Sequence, residues 1–378
     1  SGAMTNLLLE LLAMLLVILV AAELFTNALE HLGEKLGISE GVTGSLFAAV
    51  GTALPETLVP LLALFAGTTN VNVNEEIGVG AILGAPLMLS TLSICLMALA
   101  VIGHRRLSGH IKPEHSGFVR DIDFFLFSMA LATVAMYTPP EARYVRGALS
   151  VVLVLTYFIY MLLTLKASQK LVENGHGTAA DSKLFLARIG LPGNQFGIFV
   201  QLAGALVLLV FGAKGFIHGI EGASQIFGIS ALLLSLLIIP IATELPEKVN
   251  SILWVRRGKD TLAFGNITGA MVFQGTLLPA IGIMLTPWQP RIEVLTGILI
   301  TLAAAAWLRF FARPGGVPIW LTACFMWRSC RSRFCIRQLE DDIAAASFSQ
   351  STRIIREQEQ YSLGVVVNLP RGFGRCCA

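Results

Sequence analysis

The chain has 378 residues, of which 55% are hydrophobic and only 13% are charged, and its formal net charge is +3. Because a soluble protein of this size carries about 25% charged residues, the composition excludes an ordinary soluble domain, and the small net charge gives no indication of a nucleic-acid partner. Apolar runs of about 18 residues or more recur along the chain, which is typical of a polytopic α-helical membrane protein.

The apolar segments that are long enough to cross a bilayer can be read in chain order. Residues 1–5 contain SGAM, which is interpreted as a cleavage scar before the native N-terminus, and the first apolar segment lacks the features of a signal peptide. We predict spans at residues 6–30, 42–66, 76–102, 121–138, 146–166, 195–220, 229–254, 261–286 and 292–312, with a tenth starting near Val317 and stopping short. The polar residues 167–194 are predicted to be a cytoplasmic linker between a first repeat at 6–166 and a second at 195–327.

Lysine and arginine are distributed unevenly between the loops. They are concentrated in the loops after odd-numbered spans, for example at 105–112 and 256–259, whereas loops after even-numbered spans contain only Arg143, Arg146 and Arg291. The positive-inside rule therefore predicts that the odd loops are cytoplasmic and that the N-terminus lies outside a cell membrane.

The final segment, residues 328–378, is polar, rich in arginine and without clear periodicity. We interpret it as a chain end altered by frameshift or cloning, with a small appendage as the alternative, and assign it no function.

An internal repeat relates the two halves of the chain. Residues 37–56, GISEGVTGSLFAAVGTALPE, align without a gap to residues 228–247, GISALLLSLLIIPIATELPE, and the following spans contain GAILGAPLML at 80–89 and GNITGAMVFQ at 265–274. Because five spans per copy is an odd number, the second copy enters the membrane from the opposite face. The predicted fold is an all-α membrane protein of two inverted-topology repeats of five transmembrane helices, about ten spans, with a binding site near the midplane.

Each copy of the repeat contains a proline near the middle of an apolar span. Proline has no N–H and its ring crowds the carbonyl four residues earlier, so Pro55 should free the carbonyl of Gly51 and Pro246 that of Ala242. A free carbonyl in hydrocarbon costs several kcal/mol unless it finds a partner, and a dehydrated cation could be that partner.

The glutamate after each proline adds negative charge at the same depth. An ionised carboxylate there costs roughly 2.5–3.5 kcal/mol or more, so Glu56 and Glu247 should face a cavity or a partner. Thr52 and Thr243 lie four residues before them on the same helical face. Two carboxylates, two hydroxyls and two freed carbonyls approach the six to eight oxygen ligands that Ca²⁺ prefers.

The motifs GTALPE and ATELPE, each followed by a glycine-rich span, resemble the two α-repeats of sodium/calcium exchangers in the cation/calcium antiporter superfamily. The resemblance covers about residues 6–312 and implies ten helices, an outside N-terminus and sodium-driven calcium transport by alternating access. It also implies that Glu56 and Glu247 are calcium-coordinating glutamates and that Thr52 and Thr243 are helper ligands.

The sequence departs from the family pattern at several ligand positions. Asn266 is kept, Gln274 stands at the terminal position where the family has Asn or Asp, and Glu244 replaces a serine and adds a carboxylate three residues before Glu247. Lys248 is expected to extend towards the cytoplasmic end of its helix, and the alternative is a built-in cation that competes for the site, which would argue against Ca²⁺. Apolar or small residues stand at other polar positions of the pattern: Ala81, Ala85, Pro86, Leu89, Ala270 and Met271.

From these observations we expect a cation antiporter that exchanges Ca²⁺, or a related cation, for Na⁺, with no cofactor and with inorganic cations and the lipid bilayer as its partners. A proton-coupled or monovalent cation/H⁺ antiporter of the same fold is the alternative, because close carboxylates favour proton binding. A non-transporting membrane sensor is a second alternative. A membrane enzyme is disfavoured, since an HExxH motif is absent from the sequence.

Overall fold

The apolar segments fold as α-helices in this computed structural model, which describes residues 2–35, 49–106, 108–172, 183–190, 192–311, 315–320 and 322. A π-helical turn, Leu89–Ser93, joins α3 to α4, and a 3₁₀ turn, Phe185–Ile189, precedes α7. The helices are α1 (Gly2–Lys35), α2 (Ala49–Ala66), α3 (Val71–Met88), α4 (Ile94–Arg105), α5 (His115–Ala135), α6 (Arg143–Val172), α7 (Gln195–Phe227), α8 (Ala231–Thr243), α9 (Leu245–Arg256), α10 (Asp260–Leu285) and α11 (Ile292–Phe310).

Within the described residues, six helical segments are long and apolar enough to cross a membrane. They match the predicted spans one, three, five, six, eight and nine, and large apolar side chains such as Leu12, Leu162 and Val207 are more than half exposed on them, as expected of a surface that faces lipid. The segments are Met4–Phe25, Val71–Arg105, Arg143–Lys166, Gln195–Phe227, Ala263–Leu285 and Ile292–Phe310.

The other predicted spans are shorter or more polar. The second and seventh correspond to the shorter apolar helices Glu56–Ala66 and Ala231–Ile241. The fourth, at 121–138, falls on α5, whose early turns carry Arg120, Asp121 and Asp123, and it stays a prediction.

The tenth span was predicted to begin near Val317, but Val317–Pro318 is a strand, β2, that pairs antiparallel with β1, His110–Ile111. The predicted linker also begins as helix, since α6 continues to Val172 through good helix formers such as Ala, Gln and Lys. The tail at 328–378 lies outside the described residues.

Two clusters of buried apolar side chains form the core. One lies among α1, α2, α3, α7 and α8, and the other is built mainly from α4, α5, α6, α10 and α11. Helix α3 contributes to both clusters and packs against α8 and α10. The region between the clusters is where residues from α2, α8 and α10 can meet.

Helices α1 and α7 pack antiparallel along much of their length. Small residues at helix interfaces let two backbones approach closely, and they are typical of packing in membranes. On α7 the glycines accommodate side chains of α1 in reverse chain order, Gly212 facing Ile18, Gly215 facing Met14, Gly219 facing Leu11 and Gly222 facing Leu7.

The glycines of α3 allow it to approach α8 closely. A Cβ atom on Gly80 would lie 2.7 Å from the Leu232 carbonyl oxygen. A Cβ atom on Gly84 would lie 2.6 Å from Cγ of Pro240 and closer still to the Leu236 carbonyl oxygen. Since real Cβ atoms do not approach backbone this closely, larger side chains at these positions would separate the two helices.

We expect Gly84→Ala to lower the free energy of unfolding by about 1–3 kcal/mol, because the added methyl overpacks against α8. The measurement is the Tm of the purified protein in detergent. Gly204→Ala on α7 is the matched control, because nothing lies within 4 Å of a Cβ atom there and alanine favours helix. Equal Tm values for the two variants would contradict close packing of α3 on α8.

A buried arginine closes the end of α10. Arg146 on α6 donates to the carbonyl oxygens of Ile283, Thr286 and Pro287, at 3.1 Å from Nε, 2.7 Å from Nη2 and 2.9 Å from Nη1 respectively. The last carbonyls of a helix have no partner within it, and the planar guanidinium satisfies several at once. Arg146, which sequence reasoning treated as a loop charge, thereby fixes α6 to the end of α10.

Candidate functional site

The second copy of the repeat is interrupted at Glu244. Helix α8 ends at Thr243 and α9 begins at Leu245, while Glu244 adopts φ −95° and ψ 8° between them. Pro246 lies in the first turn of α9, where its missing N–H leaves no hydrogen bond unmade. The predicted break is therefore present here, and it places the Glu244 side chain at a junction of two helices.

The first copy differs from the prediction, because α2 runs without interruption from Ala49 to Ala66 through Pro55. A proline can be kept inside a membrane helix when neighbouring groups satisfy the freed backbone. Broken helices in both halves were expected, but in the described residues the repeat motif interrupts the helix only in the second half.

A glutamine on α10 joins two carboxylates from distant parts of the chain. Nε2 of Gln274 donates to Oε2 of Glu56 on α2 at 2.5 Å and to Oε1 of Glu244 at 3.2 Å. Glu56 and Gln274 are 218 residues apart in sequence. All three side chains are buried, with exposed fractions of 3% for Glu56 and 0% for Glu244 and Gln274.

The orientation of the Gln274 amide follows from the charges around it. A carbonyl oxygen placed between two carboxylates would be repelled by both, whereas the NH₂ group offers one hydrogen to each. The amide oxygen, Oε1, is then left buried with no hydrogen-bond partner in the part of the chain that the structure describes. Because a buried acceptor without a donor is costly, Oε1 is a suitable ligand for a cation at this position.

Lys248 also enters the site, and the expectation that it extends towards the cytoplasmic end is wrong. Its side chain is 5% exposed, and Nζ lies 2.9 Å from Oε2 of Glu244 and 3.3 Å from the carbonyl oxygen of Pro240. The spacing of four residues between Glu244 and Lys248, which favours a pair on one helical face, was the signal that sequence reasoning missed.

The remaining predicted ligands are placed as follows. The Thr243 hydroxyl is buried and donates to the Ile239 carbonyl at 3.0 Å, which leaves its oxygen lone pairs free to accept. Asn266 on α10 donates through Nδ2 to Ser251 of α9 at 3.0 Å. Four predicted ligand residues belong to helices, but their side chains lie outside the described atoms: Gly51, Thr52, Ala242 and Glu247.

Among the side chains that the structure describes, no group of three or more His, Cys, Asp or Glu is close enough to hold a metal ion. The described part of the site instead combines two carboxylates, an amide and an ammonium. Such a mixed set can bind a cation only by rearranging around it or by adding ligands from neighbouring backbone and side chains.

The family model described as sodium/calcium exchanger protein matches residues 6–166 and 197–327, which is more than half of the chain. The chain belongs to the sodium/calcium exchanger family. The resemblance drawn from the GTALPE and ATELPE motifs is thereby confirmed, and the matched residues contain Glu56, Glu244 and Gln274.

Two relatives of this exchanger-family chain match over most of its length. The inner membrane protein YrbG of Escherichia coli (strain K12) is 25% identical over 323 residues, which are 82% of this chain and 92% of the relative. The sodium/calcium exchanger MaX1 of Methanosarcina acetivorans is 24% identical over 318 residues, which are 80% of this chain and 86% of the relative. Membership of this family identifies a multi-pass membrane transport protein, in agreement with the prediction that the chain is not an enzyme.

Solved structures of two exchangers share the fold. The H⁺/Ca²⁺ exchanger CAX superposes with a TM-score of 0.65 at 19% identity and covers 93% of this chain and 92% of its own. The sodium-calcium exchanger NCX_Mj gives a TM-score of 0.53 at 18% identity, over 87% of this chain and 99% of its own. At these identities the likeness concerns the fold alone.

Proposed function

We propose that this chain is a secondary active antiporter that exchanges Ca²⁺, or a related cation, for Na⁺ across a cell membrane. The observation that carries the proposal is the buried contact of Glu56 and Glu244 with Gln274, because it joins the acidic motif of one half of the chain to that of the other. Helices from both halves can therefore respond together to one bound ion.

A cation explains the site better than a purely structural role does. Two ionised carboxylates in a buried, low-dielectric region cost several kcal/mol each unless they are compensated. Among the described side chains, the Gln274 amide contacts both carboxylates and the single Lys248 ammonium pairs with Glu244. The unpaired Oε1 of Gln274, the hydroxyl of Thr243 and the carboxylates supply the oxygen ligands that Ca²⁺ and Na⁺ prefer. Glu247, Thr52, and the carbonyls of Gly51 and Ala242 are proposed as further ligands.

Alternating access requires two halves that move around a shared site, and the packing supports inverted repeats. Under the repeat, α1 corresponds to α7, and α3 with α4 corresponds to α10. Helix α1 packs on its counterpart α7. Helix α5 corresponds to α11, so the contact of α3 with α11 should have an equivalent between α10 and α5, and both contacts are present.

Ion pairs are arranged as the proposed topology of ten spans requires. Arg105 pairs with Asp260 at 2.6 Å, and Arg309 pairs with Asp123 at 2.6 Å; all four residues lie at helix ends that the topology assigns to the cytoplasm. Arg291, in a loop assigned to the outside, pairs with Glu76 near the start of α3. These pairs support the grouping of the helix ends on two opposite sides of the membrane, and the proposed outside N-terminus rests on the positive-inside rule.

A proton-coupled antiporter of the same fold is the second candidate. It is favoured by Glu244, an additional carboxylate buried beside Glu56, because two close carboxylates bind a proton more readily than an isolated one. A sensor that binds cations without moving them is a third possibility, which the same experiment addresses.

The deciding experiment measures ⁴⁵Ca²⁺ uptake into proteoliposomes that contain the purified full chain. We expect uptake with an outward Na⁺ gradient and little uptake with K⁺ in place of Na⁺. Uptake that follows only an outward H⁺ gradient would replace the proposal by the second candidate. Binding of Ca²⁺ with no uptake under any gradient would leave the sensor, and neither binding nor uptake would reject all three.

A further inference from the structure

Lys248 brings an ammonium group that is fixed to the chain into a site that we propose for mobile cations. Its Nζ contacts an oxygen of Glu244 at 2.9 Å and the Pro240 carbonyl at 3.3 Å. A carboxylate and a backbone carbonyl at the end of a helix are ligands that a monovalent cation would itself select. The ammonium group thus occupies a coordination position that is built like an ion site.

Glu244 and Lys248 are oppositely charged residues four positions apart, and Glu244 stands where the family pattern has serine. Their charges cancel, and both side chains are buried, with exposed fractions of 0% and 5%. A buried carboxylate whose partner is removed is left uncompensated, which is strongly unfavourable. Without Lys248, the Glu244 carboxylate would need another positive charge from solution.

We propose that the Lys248 ammonium is a tethered cation that takes the place of one free monovalent ion at Glu244. The inference rests on the proposed function, because it assigns Lys248 a place among the ions of the exchange cycle. It makes Lys248 a determinant of stoichiometry: one positive charge stays with the protein in every cycle instead of crossing the membrane.

The other charged groups near this position agree with such a role. The Lys248 ammonium pairs with Glu244, whereas the Gln274 amide contacts both Glu244 and Glu56. Glu247 precedes Lys248 on α9 and adds a further acidic residue to the sequence at this end of the helix. The tethered charge therefore neutralises one carboxylate without removing the negative charge of the site.

The test counts Na⁺ ions bound at saturation, by equilibrium dialysis with ²²Na⁺ against the purified full chain in detergent. We expect Lys248→Met to bind about one more Na⁺ per chain than the unsubstituted protein does, since Glu244 then recruits an ion. The double variant Glu244→Gln/Lys248→Met should return to the original count. Lys214→Met on α7 is the matched control, because Lys214 is exposed, and its count should not change.

An unchanged count in Lys248→Met, or a double variant that still binds the additional ion, would overturn the proposal and leave an ordinary structural ion pair. Should Lys248→Met fail to fold, Glu244→Gln provides the second comparison. This substitution leaves the ammonium without its carboxylate, so the affinity for Na⁺ should fall at least about tenfold. Adding Lys248→Met should restore that affinity. Equal Na⁺ affinities in Glu244→Gln and the unsubstituted protein would reject the proposal.

The ion count is independent of transport, so the two proposals can fail separately. An additional Na⁺ in Lys248→Met combined with no exchange in proteoliposomes would reject the antiporter and retain the tethered charge. Active exchange combined with an unchanged ion count would reject the tethered charge and retain the antiporter.

Discussion

Replacing Glu56 by glutamine is expected to reduce cation exchange by at least about 100-fold. The substitution removes one of the two described carboxylates at the site and keeps the size of the side chain. Loss of a buried charged ligand costs about 3 kcal/mol, and each 1.4 kcal/mol corresponds to a factor of ten in affinity. The measurement is the initial rate of ⁴⁵Ca²⁺ uptake into proteoliposomes under the gradient that drives the unsubstituted protein.

Glu10→Gln is the matched control for this substitution, because Glu10 is an exposed carboxylate on α1. Its uptake should equal that of the unsubstituted chain, and both variants should elute as folded protein on size-exclusion chromatography. If Glu56→Gln were folded and retained uptake within about twofold of the original rate, the assignment of Glu56 as an ion ligand would be wrong.

Replacing Gln274 by leucine is expected to have the second large effect, on stability as well as on transport. The Gln274 amide is a hydrogen-bond donor to both Glu56 and Glu244, and leucine would leave both carboxylates without it. We expect the free energy of unfolding to fall by about 3 kcal/mol in buffer without added Ca²⁺ or Na⁺, since each buried group that loses its donor costs about 1–3 kcal/mol. Uptake should be abolished together with this loss.

The measurement is Tm in detergent as a function of cation concentration. A cation that binds between the two carboxylates should recover part of the lost Tm, because a ligand that binds only the folded state stabilises it. Gln225→Leu, at an exposed position on α7, is the control and should leave Tm nearly unchanged. A Gln274→Leu protein with the original Tm and active uptake would show that the amide contact carries neither stability nor function.

Much of the site could be identified from the sequence, because short local motifs mark its residues. The duplicated Pro-Glu motif marks Glu56, and the departures from the family pattern single out Glu244 and Gln274. The expected orientation of the Lys248 side chain was wrong, because the helix break decides which carboxylate lies next to its ammonium group. That break places Glu244 at the junction of α8 and α9, one helical turn before the lysine.

The proline motifs show the same division between local and tertiary causes. Proline lacks a backbone N–H at both Pro55 and Pro246, and this much is encoded in the residue itself. Whether the helix continues or breaks depends on its surroundings. Helix α2 continues through Pro55, whereas α8 ends at Thr243 and α9 begins at Leu245, with Glu244 between them.

The sequence by itself determined that this protein is an α-helical membrane protein of the sodium/calcium exchanger family, because long apolar runs and a duplicated acidic motif need only local composition and spacing. Only the tertiary structure decided that Gln274 bridges Glu56 to Glu244, that Lys248 turns into the site and that Arg146 closes α10. The contacts of Gln274 with Glu56 and of Arg146 with α10 join residues that are distant along the chain, so they follow from how the helices pack. The contact of Lys248 with Glu244 is local, but it depends on the helix break between α8 and α9.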